Sequence, residues 1–335
     1  MPARSPGRLR AALGTTRLPV LLAVVVVLAG LGCLAAALVP VGPDQLGTAG
    51  SIAIAAAYTW ALSARTGGRS LFYAALAVAV GVAVLVTDEP WLRTGAAVVT
   101  CAVAAVLGVM LTVPAVRFVA AARECCYAIL VAAVGAVATL GFEPSITLLR
   151  FEYVTLVLAF LGCFGVVYRL GAGLHGLGRR GAAAVLIGCG VLALVLAYAE
   201  LLRRYGTPGL VEQLLDGVRW SRDNLGAFPR PIETLLGVPA LAWGCHMRAR
   251  RRQGWWVCAF GVAATTPVAS SLMNPSITVL EAGLSVLYGL VVGLVIGYAV
   301  IRIDLAFTGP RGSRARRAEE ASALRPEPAR TSPLL

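Results

Sequence analysis

Arginine placement constrains this chain more than any other feature. Ten apolar stretches run from Leu18 to Ile301, and the arginines fall almost entirely in every second gap between them. Short loops rich in arginine stay on the cytoplasmic side of a membrane, and a helix needs about 20 apolar residues to cross one. The pattern predicts an all-α fold: a polytopic membrane helix bundle of about ten transmembrane helices, with N and C termini cytoplasmic.

The spans fall at about 18–38, 46–64, 70–87, 95–113, 125–141, 151–168, 181–199, 232–247, 255–274 and 276–301. Arg4, Arg8, Arg10 and Arg17 precede the first. Alternate later gaps hold Arg65 and Arg69, Arg117 and Arg123, Arg169, Arg179 and Arg180, and the run Arg248 to Arg252. The opposite short turns hold only Arg93 and Arg150, beside Asp44, Asp88, Glu89 and Glu143. A basic start, an apolar run and Ala35-Ala36-Ala37 resemble a signal peptide, but the alternation works from residue 1 onward and favours an uncleaved first span. On this reading residues 1–17 form a basic cytoplasmic segment, 18–306 the transmembrane domain and 307–335 a disordered cytoplasmic tail.

Composition agrees. Hydrophobic residues make up 59% of the chain and charged ones 13%, outside the soluble range. The net charge of +13 suggests a nucleic-acid ligand only until the arginines are placed in loops and tails, where they meet lipid headgroups instead. The expected partners are membrane lipids and a membrane-protein partner or second copy, not nucleic acid. The absence of lysine beside abundant alanine, glycine, valine and arginine resembles GC-rich coding, so we expect the plasma membrane of a bacterium. The eight cysteines lie within spans or at their inner ends, which argues for packing rather than a disulfide framework.

One connection, 200–231, is long enough to hold soluble structure. Val211, Leu214, Leu215 and Val218 share one helical face from Thr207-Pro208 onward, with Asp216, Arg219 and Asp223 able to pair beside it. This predicts an amphipathic helix on the outer membrane surface, acting as a lid over a cavity or as a simple tether.

Candidate site residues concentrate in the last two spans. Glu281, Ser285, Gly289, Gly293 and Gly297 recur every four residues on one face of the tenth. The small residues suit close helix packing. Glu281 is a substrate or coupling candidate, because a carboxylate inside a span must face the bundle and find a partner. Pro144-Ser145-Ile146-Thr147 matches Pro275-Ser276-Ile277-Thr278, and Arg150 follows the first proline as Glu281 follows the second. If the match marks a duplication, Arg150 and Glu281 sit at equal depth and pair; otherwise Arg150 snorkels outward beside Glu152. The ninth span carries Pro267, Ser270, Ser271 and Asn274. Pro267 frees a backbone carbonyl, which in transporters often lines a substrate or ion site, although hydroxyl-stabilised proline kinks are also common.

No HExxH, GxSxG or Walker motif is present, and no cofactor or metal spacing stands out around Cys245-His246. Asp216-Gly217 lacks the remaining residues of a CDP-alcohol transferase motif, and Asp88-Glu89 sits in a short turn rather than a long glycosyltransferase loop. Span number, inside termini and length are similar to the drug and metabolite transporter group, in architecture and not in any motif, and the long 200–231 connection departs from it. The expected function is a transporter-like protein for a small or lipid-like solute. The alternatives are a non-catalytic scaffold of a cell-envelope complex, docking through the tenth-span glycines and the outer helix, and an envelope-lipid transferase.

Overall fold

The computed structural model describes residues 6–39, 43, 45–172, 174–205, 208–251, 253–308 and 327–334, and among these every regular element is helical. The helices are α1 (Pro6–Leu38), α2 (Leu46–Arg65), α3 (Ser70–Thr87), α4 (Pro90–Met110), α5 (Phe118–Leu140), α6 (Leu148–Val167), α7 (Leu174–Tyr205), α8 (Pro208–Leu225), α9 (Val238–Arg248), α10 (Gly254–Ala259), α11 (Val262–Thr265), α12 (Pro267–Leu272) and α13 (Val279–Thr308). Wider π-helical turns, Tyr168–Ala172 and Glu233–Gly237, follow α6 and precede α9.

Seven segments are long and apolar enough to cross a membrane: α1 from Leu18, α3, α4, α5, α6 with its π turn, the α10–α12 stretch, and α13. Their order of burial is what lipid imposes. The stretch 18–37 has mean hydropathy 2.8 yet only 11% of it is buried, whereas 254–272 has mean hydropathy 1.2 and is 94% buried. A water-soluble protein does the reverse. In lipid the most apolar helices can face outward, and polar groups retreat to the bundle interior where they find partners.

The remaining three expected spans are helical but less apolar. α2 packs between α1 and α3, with Gly30 and Gly50 letting the backbones of α1 and α2 nearly touch: a Cβ on Gly50 would lie 2.5 Å from the Gly30 carbonyl oxygen. α7 has an apolar stretch only at Val185–Tyr198, and the Glu233–Gly237 turn with α9 makes one short segment.

Contacts between helix ends sort the bundle into two ends. At the arginine-rich end, Arg65 closes α2 and donates from Nε to the Met110 carbonyl at 3.1 Å, while Arg248 closes α9 and donates to Thr112. At the opposite end, which carries α8, Arg93 at the start of α4 bridges Asp88 after α3 and Glu143 after α5. Arg222 of α8 pairs with Glu281 at the start of α13 at 3.0 Å.

Several expected boundaries move. The basic segment before residue 18 is not separate, since residues 6–17 continue α1. α7 runs to Tyr205, so the long connection begins six residues later than expected. α8 is a helix in the stretch where one was expected, and after Leu225 it is stopped by Gly226, whose φ of +79° is the left-handed conformation glycine adopts freely. Arg219 pairs with Asp216 at 2.8 Å as anticipated; Thr207, the expected helix start, lies outside the described residues. α13 starts at Val279 and runs past the expected domain end to Thr308. Of the expected disordered tail, 309–326 lies outside the described residues, whereas 327–334 is docked against the arginine-rich end.

Candidate functional site

Beneath α8 lies a cavity of about 1010 Å³ between α6, α7 and the Glu233–Gly237 turn. Leu149, Tyr153 and Leu156 of α6, Leu194 and Tyr198 of α7, and Ile232 and Leu235 form apolar walls, with Val218 of α8 and Phe228 as part of the roof. Helical spacing explains the walls: positions 149, 153 and 156, and positions 194 and 198, recur every three or four residues and so share a face.

One end of the cavity is polar. Arg230 donates from Nη1 to Glu152 Oε1 at 3.1 Å and to Ser270 Oγ at 2.8 Å. Ser270 in turn donates to the Pro267 carbonyl at 3.1 Å. Pro231 follows Arg230 and starts the next helical segment, so the arginine is set at the point where the loop under α8 enters the bundle. Arg230 is only 19% exposed and Glu152 32%, so the pair sits in a partly desolvated environment where hydrogen bonds to charge strengthen.

Behind this pair lies Glu233. Its side chain is fully buried, and neither carboxylate oxygen finds a hydrogen-bond partner among the described residues. Gly289 makes the room: a Cβ there would stand 2.7 Å from the Glu233 carboxyl carbon. An ionised carboxylate buried without a partner is costly, so isolated acids of this kind mark working positions in membrane proteins. The π turn supports the same reading, because such turns concentrate at functional sites.

The expected site residues part company here. Ser270 alone of the ninth-span set reaches the cavity's polar end. Ser271 donates to the Pro267 carbonyl at 2.9 Å, Thr266 to the Val262 carbonyl, and Thr265 to the Val262 and Ala105 carbonyls, so these hydroxyls are engaged by nearby backbone. Asn274 caps a local turn, its Oδ1 accepting from the Ser276 N–H at 3.0 Å and hydroxyl at 2.7 Å. Arg150 is exposed, and the anticipated Arg150–Glu281 pair gives way to Arg222–Glu281. The cause is the start of α13. Thr278 Oγ1 accepts from the Glu281 N–H at 3.1 Å, so Glu281 lies in the first helical turn beneath α8 and not deep in a span.

The glycine face of α13 packs inside the chain. Gly293 meets Val238, and Gly297 meets Pro239 and Ala242. Ser285 donates to the Phe228 carbonyl at 2.6 Å and Tyr288 to the Leu225 carbonyl at 2.7 Å, holding the end of α8 and the cavity roof. The close helix packing expected of these glycines is made by the chain's own Glu233–Gly237 turn and α9. Arg230, which the sequence places in the 200–231 connection, instead lines the cavity, with Glu233 buried one helical turn further on.

Among the described residues no group of three or more His, Cys, Asp or Glu gathers as a metal site. No known protein-family profile, curated protein or solved structure matches this chain.

Proposed function

We propose that this protein is a transporter-like membrane protein that handles a lipid-like amphiphile through the cavity under α8. The cavity supports the reading: its volume suits a ligand of drug or lipid-fragment size, its walls are largely apolar, and two of its charged lining groups, Arg230 and Glu152, meet in one ion pair. Arg230 is the headgroup contact. An anionic group arriving there exchanges with Glu152 for the guanidinium, and Glu233 behind it is the acid whose charge state responds to that exchange. In this reading ten segments cross the plasma membrane, α7 and the short segment ending in α9 included. The arginine-rich end is cytoplasmic, and α8 lies on the outer surface as the cavity's roof.

Native mass spectrometry of the protein extracted gently from its own membrane tests this. The wild-type chain is expected to carry one amphiphilic small molecule per copy. Leu235→Trp, which pushes an indole from the wall into the cavity, should lower that occupancy at least tenfold while the melting temperature changes little. A wild-type chain free of any such molecule, or equal occupancy in Leu235→Trp, overturns the reading.

A further inference from the structure

At the arginine-rich end two arginines are almost completely buried, and both hold the chain's own 327–334 segment. Arg248, the last residue of α9, has no exposed surface and grips Glu327 with two nitrogens, Nη2 to Oε2 at 2.5 Å and Nε to Oε1 at 3.5 Å. Arg65, the last residue of α2, is 2% exposed and donates from Nη1 to the carbonyls of Ala329 (2.7 Å) and Ser332. Arg330 points the other way, into the fully buried Glu124, at 2.8 Å from Nη1 to Oε2. Two crossed ion pairs of opposite polarity thus set the register of the docked segment.

The receiving site is built without that segment. Thr112 accepts from Arg248 through its hydroxyl at 2.8 Å and its carbonyl at 3.1 Å, and Trp255 lies against the guanidinium at 3.5 Å. The Met110 carbonyl holds Arg65, and the Val113 N–H and Arg123 hold Glu124. Removing 327–334 leaves three cationic groups, Arg65, Arg248 and Arg123, against one carboxylate. The tenant also fits incompletely: Arg65 Nη2 is buried and finds no acceptor among the described residues. Each Glu327 oxygen takes one donor from Arg248 and keeps a further lone pair, yet neither reaches Arg65 Nη2. A tetrahedral oxyanion has further acceptors and could reach that idle donor as well.

We propose that Arg65 and Arg248 form a binding site for a phosphate-bearing ligand at this end of the bundle, which Glu327 occupies in the ligand's absence and vacates when it binds. The ligand is a soluble phosphate or the headgroup phosphate of an anionic lipid, since basic pockets at helix ends take either. The site lies at the opposite end from the cavity and stands or falls independently of the transport reading.

The test is a titration of the full chain with inorganic phosphate in phosphatidylcholine nanodiscs, followed by tryptophan emission, with Trp255→Phe assigning the signal to the Arg248 contact. Glu327→Gln should bind phosphate at least tenfold more tightly than wild type. Adding Arg65→Gln, or Arg65→Lys where the glutamine variant fails to fold, should remove the gain. Repeating the Glu327→Gln titration in discs containing phosphatidic acid separates the sources: an unchanged curve identifies a soluble ligand, and a curve abolished by prior occupancy identifies a lipid headgroup. No saturable signal in Glu327→Gln, or one affinity across all variants, overturns the proposal.

Discussion

Two glutamates sit near the start of the helical segments below α8, in opposite circumstances. Glu281 is partly exposed and doubly partnered, by Arg222 through its side chain and by Thr278 through its N–H. Glu233 is sealed in, with no hydrogen bond to its carboxylate among the described residues. The first arrangement was legible in the sequence, because Thr278-Val279-Leu280-Glu281 has the spacing of a capping box. Placing Glu281 inside a span passed over that signal. The burial of Glu233 had no such signature: it depends on a π turn and on the missing side chain of Gly289, a helix away. That dependence is testable at residue scale. Gly289→Ala should destabilise by about 1–3 kcal/mol, since its methyl enters the space of the Glu233 carboxyl. The same substitution should cost as much in Glu233→Gln, which keeps the shape, and close to nothing in Glu233→Ala. Denaturant unfolding of the variants in detergent reads the cycle, and a cost that stays constant in Glu233→Ala removes the proposed contact.

At the scale of elements, the helical segments and the amphipathic helix α8 follow from period and composition, but the internal breaks do not. The α10–α12 stretch reads as one kinked span because Pro267 is its only obvious breaker. The structure breaks it again near Gly261, where the chain passes Leu241 of α9: a Cβ on Gly261 would lie 2.7 Å from Leu241 Cδ1. Glycine was similarly readable as a stripe on α13, while among the described residues the tightest glycine approach to backbone lies elsewhere. A Cβ on Gly237 would stand 2.1 Å from the Ala264 backbone nitrogen, and backbone cannot rotate away as a side chain can. On α13 itself, Gly283 meets nothing within 4 Å. Gly237→Ala should therefore cost more than about 3 kcal/mol and lower the folded yield sharply. Gly283→Ala should stay within about 1 kcal/mol of wild type. Paired melting curves and size-exclusion profiles decide this, and equal behaviour of the two variants would refute the close approach of the π turn to α11.

Whole-molecule organisation turns on how many segments cross, and one stretch of chain isolates the question. Between Ser70 at the start of α3 and Glu212 on α8 lie α3, α4, α5, α6 and α7. The first four are apolar over a full bilayer width, whereas α7 is so only across Val185–Tyr198. Five crossings put residues 70 and 212 on opposite sides; four put them on the same side. The arginines of residues 169–180 argue for the first, because they place the start of α7 with the other basic loops. Cavity geometry argues the same way, since Leu194 and Tyr198 of α7 face α6 across it. The docked 327–334 segment belongs to this scale too. Its composition of Arg, Glu, Pro and Ser reads as disorder, and its partners at residues 65, 124 and 248 are set by the assembled bundle and by no local pattern. In a chain with Cys126 and Cys189 replaced by alanine, Glu212→Cys should react with a membrane-impermeant maleimide on intact cells. Ser70→Cys should react only after permeabilisation. Labelling of both on intact cells, or of neither, makes α7 a helix that does not cross, which would strip the cavity of its transmembrane wall. Labelling of Ser70→Cys alone keeps the five crossings and inverts the molecule, placing the arginine-rich end and its proposed phosphate site outside the cell.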